Sequence, residues 1–156
     1  KRGGSLRVTG VSRVKRFLAS AALAAAIVVS GATASLANRL VAHVDLSSQT
    51  MTVKKDGRTL YNWRVSTARS GYRTPTGKWS PTRMHEMWHS RKYDMSPMPY
   101  SIFFYGGYAI HGTNAVSRLG RPASHGCVRL DTRNARKLYQ LTKQVGPQNM
   151  RVVITH

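Results

Sequence analysis

Two short runs of alternating apolar and polar residues follow residue 38: Arg39–Leu46 and Gln49–Val53, with Ser47-Ser48 between them. A period of two predicts strands with one buried face. Lys55-Asp56-Gly57-Arg58 reads as a hairpin turn before a third run, Thr59–Ser66, so a three-stranded meander is expected over residues 39–66. Pro75, Gly77, Pro81, Pro97 and Pro99 then punctuate a long stretch that excludes regular helix. Tyr100–Ile110 is aromatic and β-branched around Gly106-Gly107, which predicts a strand, a bend and a second strand leading into His111. Helical spacing occurs at Ala135, Leu138, Leu141 and Val145, with Asp131 and Thr132 as N-cap candidates and Gly146-Pro147 as the stop. Met150–Thr155 predicts a closing strand, so the fold class is mainly β with one main α-helix.

The longest apolar run lies earlier, and it changes the expected compartment. Lys15 and Arg16 precede an apolar stretch from Phe17 to Val29, followed by the small-residue sites Ala32-Thr33-Ala34 and Ser35-Leu36-Ala37. This is the layout of a secretory signal peptide with a basic n-region, assigned to residues 1–37. The run is short of the roughly 20 apolar residues of a membrane span. The expectation is a chain processed between Ser35 and Asn38, with residues 38–156 as one domain. It is exported to the periplasm or cell wall and keeps no stable membrane span. An uncleaved signal anchor is the competing reading.

Charge narrows the partners. The chain has 25 Lys and Arg against 5 Asp and Glu, a net charge of +20; from residue 38 onward 19 basic residues face the same five acidic ones, a surplus of +14. Such a surplus points to an anionic partner or to a basic surface that serves solubility. Export argues against nucleic acid and leaves wall polymer or a membrane surface.

Two motifs carry candidate chemistry. HEMWH, His85–His89, matches a zinc-peptidase pattern, but that pattern requires a helix and a third ligand, and no glutamate follows Glu86. A polar loop is expected there, with no metal and no cofactor. The second is HGTNAVSRLGRPASHGCVRL, His111–Leu130, which holds the one cysteine, Cys127, with His125 two residues before it and His111 upstream. A thiol of ordinary pKa, about 8.5, becomes a nucleophile when a histidine within reach takes its proton. His111 follows a predicted strand, and His125 on an extended segment would face the same side as Cys127. Gly126 permits a sharp turn and close backbone approach, and the amides of Gly126, Cys127 and Val128 are candidate oxyanion donors. A zinc ion on Cys127, His111 and His125 is the less common alternative.

Ile110-His111-Gly112-Thr113, followed by Ser124-His125-Gly126-Cys127-Val128-Arg129, closely resembles the signature of the L,D-transpeptidases with a YkuD-type catalytic domain. The similarity extends through Thr74-Pro75-Thr76-Gly77-Lys78-Trp79 and Tyr93–Thr113 and covers most of Val41–His156. It implies a largely β-sandwich domain, with the main helix after the cysteine, and a cell-wall enzyme that cleaves the bond between the diamino acid and D-Ala of a peptidoglycan stem peptide. The acyl group passes through a thioester to an amine acceptor, either a second stem or a wall-linked protein. By resemblance Cys127 is the nucleophile and His111 the proton acceptor and donor. His125 and Ser124 shape the oxyanion and substrate side, where Arg129 also falls. Tyr93, Met98, Tyr100 and Phe103 match a segment preceding the catalytic loop, and Met98 and Phe103 read equally as core. Gly112 stands where some members carry Ser, so a backbone carbonyl has to orient His111. An L,D-carboxypeptidase and a non-catalytic wall-binding module share the same motifs.

Overall fold

The computed structural model describes residues 39–156, and the signal-peptide assignment at 1–37 lies outside them. The predicted meander forms as strands β1 (Leu40–Asp45), β2 (Thr50–Lys55) and β3 (Arg58–Arg64), paired antiparallel in sequence order. Alternation buries Leu40, Ala42 and Val44 of β1 and Met51 and Val53 of β2. Asp56 and Gly57 in the connecting turn both have positive φ, 51° and 81°. That backbone twist matches the flanking strands, and it suits a small polar residue followed by glycine.

A segment from the other end of the chain completes this sheet. Strand β9 (Met150–Thr155) runs parallel to β1, and the short β4 (Gly77–Trp79) pairs with its other edge, giving five strands in the order β3-β2-β1-β9-β4. The second sheet has four strands, β5 (Arg83–Ser90), β6 (Ser96–Tyr105), β7 (Tyr108–Thr113) and β8 (Val128–Asp131), in chain order. Leu40, Val44, Met51, Val152 and Ile154 of the first sheet pack in one core with Ile102, Phe104, Ile110, Val128 and Leu130 of the second. The domain is the two-sheet, mainly β architecture expected. Helix α1 (Thr132–Val145) starts at Asp131, whose side chain accepts from the Arg133 amide at 2.8 Å, and buries Ala135, Leu138, Tyr139, Thr142 and Val145.

The second sheet corrects one expectation. HEMWH is not a loop: it forms most of β5, with His85 opposite Ser101 and His89 opposite Pro97. At about 3.3 Å per residue two histidines four apart on a strand are separated by roughly 13 Å, so they cannot share one metal. The facing prolines are compatible with the ladder because β7 pairs with β6 only between Ile102 and Tyr105. Pro97 and Pro99 lie in the half of β6 that has a neighbour on one side, where a missing N–H breaks no bond.

Candidate active site

The parallel pair β7 and β8 builds the site. Its register sets Ile110 opposite Val128 and His111 opposite Arg129. Ile110, Val128 and Leu130 enter the inter-sheet core. By the two-residue alternation of strands, Ala109, His111 and Arg129 face the other way. Cys127, immediately before β8, packs against the buried cluster of Met98, Phe103 and Ala109, as does Trp88. Here a cavity of about 1080 Å³ opens, lined by Cys127, His111, His125, Ser124, Arg129, Tyr93 and Tyr100 among others. Residues from three separate stretches of sequence thus meet in one place, and of the predicted site residues only Gly126 stays out of the lining.

A second strand-like segment holds the cysteine loop in place. Ser66 and Arg129 exchange backbone hydrogen bonds of 3.0 and 2.9 Å, the amides of Ala123 and Ser124 donate to the Thr67 carbonyl, and the Arg69 amide donates to the Ser124 carbonyl at 3.0 Å. Buried Thr74 receives the Ala68 amide at 3.0 Å and donates its hydroxyl to the Gly126 carbonyl at 2.8 Å. The Thr-Pro-Thr-Gly motif therefore acts as a clamp on the loop. Ser124 closes it from within, accepting from the Gly126 amide at 3.0 Å and donating to the Cys127 carbonyl at 2.6 Å. Gly126 has φ 131°, and a Cβ there would lie 2.5 Å from the Tyr108 ring and 2.9 Å from the Arg73 carbonyl. Residues 125–127 are a bend at this glycine, not the extended segment expected, so His125 and Cys127 are not simple same-face neighbours.

The two histidines have different surroundings. His111 is buried, and its Nδ1 lies 2.8 Å from the Gly112 carbonyl. A carbonyl only accepts, so the proton sits on Nδ1 and Nε2 keeps its lone pair. This is the orienting carbonyl the sequence leaves open. Burial lowers the His111 pKa to about 4, with the Gly112 bond opposing and Arg129 adding to the shift. Burial raises that of the Cys127 thiol, against the opposing influence of the Ala109 amide and of Arg129. Burial favours the neutral form of both, and the thiol reaches toward the Gly107 carbonyl only at 4.0 Å. Burial thus disfavours the thiolate–imidazolium pair that simple proton transfer to a histidine would give.

Gly112 leaves little room for a side chain: a Cβ would meet the Thr132 hydroxyl at 2.9 Å, the Thr132 Cα at 3.0 Å and Pro99 at 3.1 Å. His125 is stacked on Tyr93, with ring centroids 4.5 Å apart and planes 11° from parallel, and bonds through Nε2 to Arg69 at 2.8 Å. Arg129 is partly buried, donates weakly to the Ala123 carbonyl at 3.4 Å, and has its pKa lowered by burial, with the Cys127 thiol opposing that shift and Arg118 and Arg69 adding to it. Tyr100 adopts φ 54° and packs edge-on against Tyr139 of α1, so it joins the cavity to the helix. Sequence reasoning missed Arg69 and the role of Thr74. The motif around Thr74 was a usable signal; nothing local distinguishes Arg69.

Comparison with known proteins bears on this arrangement. The chain matches the YkuD family, described as the L,D-transpeptidase catalytic domain, over residues 39–154. Among solved structures, the L,D-transpeptidase of Stackebrandtia nassauensis is 29% identical with a TM-score of 0.66, covering 76% of this chain and 56% of that one. That of Xylanimonas cellulosilytica is 26% identical with a TM-score of 0.66, covering 76% and 61%. An L,D-transpeptidase of Mycobacterium tuberculosis, 21% identical, shares the fold with a TM-score of 0.67 over 75% and 57%. The match thus spans about three-fifths of the length of these proteins. No curated protein sequence matches the chain. With the family match spanning nearly the whole described region, this chain belongs to the YkuD family of L,D-transpeptidase catalytic domains.

Proposed function

We propose that the domain is a cysteine acyltransferase acting on peptidoglycan stem peptides outside the cytoplasmic membrane. The observation that carries this reading is that one cavity is lined by the chain's one thiol and by a buried imidazole whose Nδ1 is bonded to the Gly112 carbonyl, leaving Nε2 as the basic nitrogen. Such an imidazole is a general base poised for a thiol that ionises only as it attacks. In this reading His111 Nε2 takes the proton from Cys127 as the sulfur adds to the carbonyl of the diamino acid. The same proton then passes to the departing nitrogen of D-Ala, leaving a thioester. An incoming amine attacks the thioester and loses a proton to His111, which restores the thiol. Export to the wall and cleavage of residues 1–37 belong to this proposal.

Arg129 supports it through charge: a partly buried guanidinium with little hydrogen bonding of its own suits a carboxylate of the stem. The Gly126 amide is committed to Ser124, so the Cys127 amide is the oxyanion donor nearest the sulfur in this reading. His125 and Tyr93 form a flat stacked wall beside it, and Tyr100 bounds the cavity on the helix side.

The test is mass spectrometry of the purified protein with tetrapeptide stems and with sacculi. The expected results are a covalent adduct on Cys127 with loss of D-Ala, followed by amine-dependent product and return of free enzyme. A tripeptide product formed equally with and without amine would replace transfer by carboxypeptidase activity. Binding to sacculi with no adduct would leave only a wall-binding module.

A further inference from the structure

The cavity contains a second histidine that the proposed chemistry does not use as a base, and its surroundings explain why. Arg69 Nη2 lies 2.8 Å from His125 Nε2. A guanidinium has donors only and does not lose its proton in proteins, so Nε2 must be the acceptor and must carry a lone pair. A proton on Nε2 would point at an N–H at this distance, which excludes both the imidazolium and the Nε2–H tautomer while the bond lasts. We infer that Arg69 is a positioning residue that holds His125 as the neutral Nδ1–H tautomer, making it a fixed donor and stacking face and leaving His111 as the one free base of the site.

Independent contacts keep this bond in register. The Arg69 amide donates to the carbonyl of Ser124, the residue before His125, and the Arg69 carbonyl accepts from the Tyr72 amide at 3.0 Å. The Arg69 guanidinium lies 5.1 Å from the Tyr72 ring centroid, and Tyr72 meets the His125 ring edge-on at 4.6 Å. Tyr93 stacks on a face of the imidazole. The charged groups facing His125 are Arg69, Arg129 and Lys92, all cationic; partial burial and then these three lower its pKa. Among the described residues the one ion pair is Arg133 with Asp131, so no carboxylate competes for Arg69. Both imidazoles therefore carry their proton on Nδ1, but Nε2 is open in His111 and filled in His125. That difference assigns their roles without reference to sequence order.

The consequence for catalysis rests on the transfer reaction proposed above; the tautomer does not. The experiment is nitrogen-15 NMR of the histidine rings across a pH series, on the whole protein and on Arg69→Met and Arg69→Lys. In the wild type His125 should show an unprotonated Nε2 and should not titrate between about pH 8 and about pH 5.5, a window bracketing the ordinary histidine value of about 6.5. Arg69→Met should raise its titration point toward that value, with turnover falling roughly tenfold on the acid side of the new midpoint. Arg69→Lys, which keeps one donor, should return much of the wild-type behaviour. A wild-type His125 that titrates near 6.5, or that carries its proton on Nε2, overturns the inference even if the Met variant does not fold. A folded Arg69→Met with reduced turnover and an unchanged His125 titration also overturns it, since Arg69 would then act elsewhere. The expected tautomer in a protein that never forms an acyl-enzyme would instead count against the proposed function alone.

Discussion

The neutral resting state of Cys127 and His111 has measurable consequences residue by residue. Alkylation of Cys127 by a small electrophile should follow a pH midpoint above the free-thiol value of about 8.5, because burial raises the thiol's pKa. His111→Ala should lower turnover by roughly 100- to 10,000-fold, the usual contribution of a general base. It should move the alkylation midpoint far less, since His111 is not charged at rest. Unchanged turnover in that variant would remove His111 from the mechanism. His111 also links stability to pH. Its folded pKa of about 4 lies below the unfolded value of about 6.5, so the unfolded chain binds the extra proton first as pH falls. Stability is full above about pH 6.5 and declines by about 3 kcal/mol as pH drops through about 4. Denaturant titrations at a series of pH values check this, and His111→Gln should flatten that slope.

At the scale of elements, the cysteine loop depends on a segment that carries no nucleophile or base. Thr74→Val keeps the shape of the side chain but removes the acceptor for the Ala68 amide and the donor to the Gly126 carbonyl. Leaving buried polar groups unpaired should destabilise the fold by about 1–3 kcal/mol. Turnover should fall beyond what stability explains, and Thr74→Ser should recover most of both; thermal melts beside kinetics on the same preparations test this. Gly126→Ala should be worse tolerated, by about 2–4 kcal/mol, because a Cβ at φ 131° meets a ring carbon and a carbonyl. Gly112→Ala should also destabilise, since one of its contacts is the backbone of Thr132 at the start of α1.

For the molecule as a whole, the charge surplus and the strand geometry of HEMWH make the predictions. A surplus of +14 over residues 38–156, with five acidic residues in that range, should make binding to purified sacculi fall about tenfold or more as salt rises from low to near-molar levels. Pull-down of the protein with sacculi measures it, and salt-independent binding would locate recognition in the cavity alone. Dialysis against a chelator should leave turnover intact, because the two histidines of HEMWH lie about 13 Å apart along β5. Loss of activity restored by zinc would overturn the cysteine mechanism.

What was legible in the sequence was local. Alternation set β1, β2 and β3, the Asp56-Gly57 turn closed the second hairpin, and the spacing from Ala135 to Val145 marked α1 between its Asp131 cap and Gly146. The motifs around His111 and Cys127 marked the family, because residue type and short spacing are written in the chain itself. Strands β4 and β8 were not legible: three and four residues long, they show no period of their own and exist by pairing with β9 and β7. HEMWH became a strand for the same reason, through its ladder with β6. The distinction between the two histidines was likewise tertiary. It depends on which nitrogen each ring has engaged, His111 with the Gly112 carbonyl and His125 with a guanidinium 56 residues away, and a hydrogen bond between distant residues leaves no local trace in a sequence.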